Sequence, residues 1–373
     1  MKKDIDWLIV IPTDSLGGGA EQLLFNVASY LSNKNEKCQI VFLSKKRSGM
    51  WEVLENKCKI KYLPTKNLYL GYLLFIPYLI GLRNASSIKN TFSSQTLINA
   101  LLGLMKKFGI LKNTKIIVRE SNSIFHLLKG KKLKIYALAY KIGYSKINLV
   151  ICQTNFMKTQ LLEANPWMNK KLKVIVMSNP VDLDMINQKS KIELQEKYDG
   201  DVMVAAGRLV PVKGFDLLIE SFFELQKLYP NLKLIILGEG KERINLQKKI
   251  DQLNLTHKVN LIGFVKNVYP YFKLAKLCVM SSRIEGFPNV LLQMMSQNTK
   301  VVSTLSAGGI DEIPGIFTCE INDAKKLAAA VQQCLIAETD INRTVFNEYL
   351  EKRTMHSFVE KIITEVNQPK VIG

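Results

Sequence analysis

At 373 residues the chain is longer than one hydrophobic core usually supports, and its 47% hydrophobic content is that of an ordinary globular protein. Six cysteines without a C-x-x-C pair and three scattered histidines argue against a disulfide framework or a zinc site and for a reducing cytosol. The net charge of +20 is confined to the first half: residues 1–178 carry 28 Lys and Arg against 9 Asp and Glu, and residues 179–373 carry 24 against 23.

The N-terminal run "WLIVIP" is too short for a signal-peptide core and is read as a first strand. A glycine loop, Gly17-Gly18-Gly19, leads from it into "EQLLFNVASYL", whose apolar residues recur at helical spacing, and "CQIVFLS" follows as a second strand. The longest apolar run, Leu68–Leu82, carries no charge, but it is shorter than a spanning helix and contains Pro77. It is expected to be a buried or interfacial helix. "KIIVRES", "LVICQT" and "KVIVMSN" read as further strands. Eleven basic residues and one acid, Glu120, lie between Lys106 and Lys146. Such a surface suits anionic lipid, a polyanionic acceptor or nucleic acid; a merely lysine-rich solvated face is the plain alternative. Tyr136, Tyr140 and Tyr144 recur every fourth residue there, which helical core packing explains best.

Asn179-Pro180 breaks the pattern and marks a boundary, giving domains at residues 1–178 and 179–353. The second half alternates more clearly. "VMVAAG", "LKLIILG", "KVNLIG", "KLCVMSS" and "KVVST" read as strands, and helical patterns separate them. This alternation predicts two Rossmann-like, doubly wound α/β domains with a ligand cleft between them. The final helical pattern, "TMHSFVEKIITEV", closes the chain.

Glycine and charge gather where strands should end. Gly18 and Gly19 let backbone approach an anion at a helix start, but Gln22 breaks the dinucleotide fingerprint. Arg208 and Lys213 flank a strand-to-helix loop where two cations could neutralise a diphosphate. Gly238 lies in the tight turn "LGEG". Phe264 follows a strand end and offers either a platform for a flat base or a core side chain. Glu285 precedes Gly286-Phe287-Pro288 at the mouth of a helix, where a carboxylate is favoured by the helix dipole. Asp182 and Asp184 have the spacing of a metal pair, yet one pair does not make a hard-cation site, and no metal site is expected.

"GRLVPVKGFDLLIESF", "LGEG", "LIGFVKN" and "SSRIEGFPNVLLQMMSQNTKVVST", in this order, resemble retaining glycosyltransferases of family 4, which have the GT-B fold. "GGGAEQLLFNVA", "VRESNS" and "VIVMSNPVDLD" extend the resemblance into the first half. The resemblance implies that the C-terminal helix, residues 354–373, packs back on the first domain. It implies a UDP-sugar donor, no metal or other cofactor, and transfer of a hexose or N-acetylhexosamine with retention. Arg208 and Lys213 would bind the donor diphosphate, and Glu285, the first acid of an E-x7-E element, would lie against the donor sugar. Gly18, Gly19, Gly238, Phe264, Val265, Gly286, Phe287, Asn289, Val290 and Gln293 would line the nucleotide-sugar site. Two positions depart from the family pattern. Gln293 stands where the second acid would hold the ribose, and Ser121 stands where many relatives have His, with His126 five residues on.

With the basic first domain, the resemblance points to a lipid-linked saccharide acceptor reached from the cytoplasmic face of an anionic membrane, with peripheral attachment and no nucleic-acid partner. Two other readings stand beside it: a nucleotide-sugar 2-epimerase on the same fold, and a degenerate non-catalytic partner or binding protein.

Overall fold

The computed structural model describes residues 3–15, 18–194, 198 and 200–368. The chain divides into two compact units, Met1–Pro180 with Met355–Gly373, and Val181–Thr354.

The first unit runs β1 (Lys3–Ile11), α1 (Gly19–Asn33), β2 (Cys38–Phe42), β3 (Lys59–Tyr62), α2 (Leu68–Ala85), β4 (Ser86–Ser93), α3 (Thr96–Lys107), β5 (Lys115–Arg119), α4 (Ile124–Leu127), α5 (Gly130–Gly143), β6 (Leu149–Cys152), α6 (Asn155–Ala164), α7 (Pro166–Lys171) and β7 (Lys173–Val176). All strands of its sheet are parallel, in the order β3-β2-β1-β4-β5-β6-β7. Side chains of a strand alternate between faces. Leu8 and Val10 therefore pack with α2, α3, α5 and α6 on one side. Trp7, Ile9 and Ile11 pack with α1 on the other.

The second unit runs α8 (Leu183–Lys189), β8 (Val202–Ala206), α9 (Phe215–Gln226), β9 (Lys233–Leu237), α10 (Arg243–Gln252), β10 (Val259–Gly263), α11 (Tyr269–Leu274), β11 (Leu277–Met280), α12 (Asn289–Gln297), β12 (Val301–Thr304), β13 (Phe317–Cys319), α13 (Ala324–Ile336) and α14 (Asn342–Glu351). Its sheet is also parallel, in the order β10-β9-β8-β11-β12-β13. The last helix, α15 (Met355–Asn367), belongs to the first unit. There Met355, Phe358, Val359 and Ile362 join the core that holds α1. Asn179 also belongs to the first unit, accepting from Arg119 and donating to Gln153.

The alternation of strands and helices that the sequence implies is present, and both sheets are doubly wound. Three strands escape sequence reading. β4 is "SSIKNTFS", polar in composition, yet it pairs along its length with β1 and β5 in the middle of the sheet. β3 and β13 are edge strands of four and three residues. The apolar run from Leu68 forms one helix of 18 residues that continues through Pro77. By length and composition it is apolar enough to cross a membrane, but only 17% of it is buried in the protein.

Candidate active site

A doubly wound sheet opens a crevice beside the carboxyl ends of the two strands where the order reverses. In the second unit those strands are β8 and β11, and their loops carry Arg208, Lys213 and Glu285. The two loops are fastened to each other. Ser281 Oγ donates to the Lys213 carbonyl at 3.0 Å. Arg283 N donates to the Val212 carbonyl at 2.8 Å. The Arg283 guanidinium forks onto both Asp216 oxygens at 2.8 and 2.7 Å. Lys213 Nζ then pairs with Glu285 Oε1, which also accepts from Ser282 Oγ at 2.7 Å. The backbone N–H of Glu285 is anchored on the Ser306 carbonyl at 2.8 Å. Lys213 and Glu285, 72 residues apart, thus form one partly buried ion pair (side chains 18% and 14% exposed).

Arg208 is exposed and makes no ion pair with any described residue, so its charge is available to a ligand. Gly214 takes a left-handed backbone (φ +64°) that starts α9, and a Cβ there would sit 2.1 Å from the Ser281 carbonyl oxygen. Gly238 lies against the next turn: a Cβ would fall 1.8 Å from the Gly207 carbonyl oxygen. Its requirement for glycine is close backbone packing of the β9 turn on the β8 turn.

α12 begins at Asn289, and Pro288 before it supplies no side-chain cap. The dipole and first-turn N–H groups make this end favourable for an anion. Phe287 is buried and packs in the core, which fixes Gly286 and the approach to the helix; Val290 is half-buried against the same core. Gln293 donates through Nε2 to the Tyr269 hydroxyl at 3.3 Å, leaving its amide oxygen without a partner among the described residues. Burial raises the Tyr269 phenol to about 12, so it remains protonated through the working range. Phe264 is 62% exposed just beyond β10, and Val265 beside it is half-buried. Phe264 is thus not a core side chain.

In the first unit the reversal falls between β1 and β4. Gly18 immediately precedes α1 and Gly19 is its first residue; Gly17 lies outside the described residues. Asp14, a residue the sequence reading did not single out, is 2% exposed in the same loop. It accepts from Ser48 N at 2.6 Å and Tyr62 Oη at 3.3 Å, tying this loop to the one after β2. Arg119 and Glu120 are both buried. Arg119 donates to Ser94 and Asn179, and burial lowers its guanidinium to about 10. Glu120 accepts from Tyr140 and Tyr144 at 2.6 Å each, and from Thr96 and Asn99 at 3.2 Å each. These two charges brace the ends of β4 to β7 from inside. Asn122 is exposed, and Ser121 hydrogen-bonds Ser94 at 2.8 Å; the His126 side chain lies outside the described residues. Tyr140 and Tyr144 are core residues, as helical periodicity implies.

Asp182 caps α8, accepting from Met185 N at 2.9 Å. Among the described residues no three His, Cys, Asp or Glu side chains converge as a metal site. The sequence reading also missed Ser282 and Ser306, which hold the side chain and backbone of Glu285. Serines at strand ends are too common in α/β proteins to be singled out from sequence.

The Arg283–Asp216 fork has a measurable signature. Burial alone would raise the Asp216 carboxyl, but the hydrogen bonds and charge of Arg283 outweigh it and hold it below its ordinary value. A carboxyl depressed in the folded state adds stability above its unfolded pKa, and that stability disappears as pH falls through the folded value. Asp216→Asn is expected to lower the melting temperature at pH 7, with the deficit shrinking below about pH 4. A deficit unchanged between pH 7 and pH 3 in thermal melts contradicts this assignment.

Two parallel α/β units, with charged and glycine-bearing loops at each sheet's reversal point, define a GT-B-type fold. HepE of Anabaena, solved with UDP and glucose, superposes with a TM-score of 0.80 over 98% of this chain and 100% of its own, at 16% identity. Residues 186–353, within the second unit, match the family model "Glycosyl transferases group 1". An uncharacterized glycosyltransferase of Methanocaldococcus jannaschii is 37% identical over 56% of this chain and 53% of its own length, so that match spans about half of the relative. A Campylobacter jejuni protein is 29% identical over 81% of each chain; it is named N-acetylgalactosamine-N,N'-diacetylbacillosaminyl-diphospho-undecaprenol 4-alpha-N-acetylgalactosaminyltransferase.

Proposed function

We propose that the chain is a nucleotide-sugar-dependent glycosyltransferase. It moves a hexose or N-acetylhexosamine from a UDP-sugar to a lipid-linked saccharide on the cytoplasmic face of a membrane, retaining the anomeric configuration. One observation carries this reading: the Lys213–Glu285 pair lies at the β8/β11 reversal, its loops locked together, in the segment that matches the family model. The names of the Campylobacter relative and of HepE's ligands support the acceptor and donor classes.

The chemistry follows from the charges. As the sugar–phosphate bond breaks, negative charge grows on the departing diphosphate. Arg208 and Lys213 stabilise that charge, and the α12 start adds backbone N–H groups. These fixed cations supply what a divalent ion would otherwise provide. Glu285, oriented by Lys213 and Ser282, lies against the donor sugar. The acceptor hydroxyl attacks the anomeric carbon on the face the diphosphate leaves, and its proton passes to the leaving phosphate oxygen. Phe264 and Val265 border the base. The test is a screen of UDP-sugars with a detergent-solubilised lipid-linked saccharide, reading released UDP and product anomericity. No donor-dependent release with any sugar rejects the reading.

Gln293 carries a prediction of its own. Its amide oxygen accepts a ribose hydroxyl less strongly than a carboxylate would. Gln293→Glu is therefore expected to tighten UDP binding by about 1 kcal/mol. An unchanged dissociation constant in titration calorimetry places the ribose elsewhere.

A further inference from the structure

α2 is unusual for a surface helix. Gly71, Phe75 and Leu79, one turn apart, are its buried side. Gly71 is pressed so closely that a Cβ would lie 2.1 Å from the Leu43 carbonyl oxygen, and Phe75 and Leu79 are fully buried. The helix is therefore fastened lengthwise to the first unit, and crossing a bilayer would strip this contact. On its other side, where a water-facing helix carries charge, stand Tyr69 (81% exposed), Leu73 (65%), Pro77 and Ile80 (41%). Its single charged residue is Arg83, in the last turn.

α5 continues the surface. Both helices pack their inner sides into the same core on one face of the sheet, through Phe75 and Leu79 of α2 and Ala139 and Tyr140 of α5. Ile135 (59% exposed), Leu138 (56%) and Ile142 (40%) are interleaved with exposed Lys131, Lys134 and Lys141. The one acid between Lys106 and Lys146, Glu120, is buried under Tyr140 and Tyr144, so this segment presents cations without a surface counter-charge. A second copy of the same face would set lysine against lysine. An apolar stripe beside unopposed lysines matches a surface that is itself apolar with an anionic skin.

We propose that the exposed faces of α2 and α5 form an interfacial docking surface for an anionic phospholipid bilayer: the α2 stripe sinks below the headgroups, and the α5 lysines contact lipid phosphates. This rests on the transferase reading and deepens it, since a lipid-linked acceptor would be met at the surface that α2 occupies. Attachment is peripheral and reversible, because one helix face is inserted rather than a whole span.

The test floats the full chain with vesicles of phosphatidylglycerol and phosphatidylcholine, and with phosphatidylcholine alone. Flotation is expected with the anionic vesicles and is expected to weaken as salt rises. Lys131→Gln, Lys134→Gln and Lys141→Gln together should weaken it by about a hundredfold, at about fivefold per lysine. Leu73→Glu with Ile80→Glu should weaken it at least about tenfold. Melting temperatures should not move, because all five side chains are exposed. Parent protein that stays with the solvent, or variants that float like the parent, overturn the proposal. So does a dimer that Leu73→Glu dissociates while vesicles leave the parent untouched. UDP release from the detergent-solubilised acceptor without flotation removes this proposal alone, whereas flotation without release under any donor removes the transferase reading alone.

Discussion

Lys213→Ala is expected to reduce donor-dependent UDP release by about a hundredfold to a thousandfold, the scale for losing one fixed group that stabilises transition-state charge. Two effects coincide in that variant. The leaving diphosphate loses a cation, and Glu285, whose side chain is 14% exposed, keeps Ser282 as its one side-chain partner among the described residues. A partly buried carboxylate without its cation costs stability as well as activity. The pair of substitutions Lys213→Met and Glu285→Gln separates the effects, since it leaves no charge unpaired. It should recover the melting temperature and not the turnover. Recovery of both would make the ion pair a structural brace, and the charge for the diphosphate would have to come from Arg208 alone. Kinetics at saturating donor, beside thermal melts of the same preparations, decide between these outcomes.

The second large effect is predicted at Glu120. Its carboxylate accepts from two tyrosine hydroxyls, one threonine and one asparagine, all inside the first unit. Glu120→Ala opens a cavity and takes the acceptor from the buried Tyr140 and Tyr144 hydroxyls, at about 1–3 kcal/mol each, while Asn99 keeps the Arg119 carbonyl. Even with rearrangement the loss should reach about 4 kcal/mol, or a fall of about 10 °C in the melting temperature of a unit this size. The informative comparison is Glu120→Leu combined with Tyr140→Phe and Tyr144→Phe, which removes acceptor and main donors together. Replacing both sides of a buried polar contact by apolar groups of similar shape is often close to neutral. The triple variant is therefore expected to melt above Glu120→Ala. If it melts lower, the tyrosine hydroxyls contribute through partners other than Glu120.

Much of the architecture was legible because both sheets are parallel and buried on two faces. Their strands read as short β-branched runs, and the helices between them keep a 3.6-residue period. β4 was not legible: Ser86, Ser87, Lys89 and Asn90 suit a loop, and only pairing with β1 and β5 makes them a strand. Here tertiary context overrides local preference. Pro77 suggested an interruption, yet α2 runs on, with the proline on its exposed side. At the candidate site, the types of residue were readable and their partnerships were not. Lys213 and Glu285 each looked like a separate ligand contact; that they hold each other depends on β8 and β11 being adjacent in a sheet whose order the sequence does not print. Asp14 and Ser282 were invisible for a related reason. Each acts on a loop that is distant in sequence or fixes a neighbour's rotamer, and neither belongs to a local pattern.

The path of the backbone has a consequence for synthesis. α15 fills a hydrophobic gap beside α1, although more than three hundred residues of chain separate Asn33 from Met355. On the ribosome the Val181–Thr354 unit emerges whole and can fold on its own while its predecessor still lacks that piece. Leu24, Val27 and Leu31 then wait in a half-built core until the tail arrives. A premature stop just before Met355 would thus injure the first unit and spare the second.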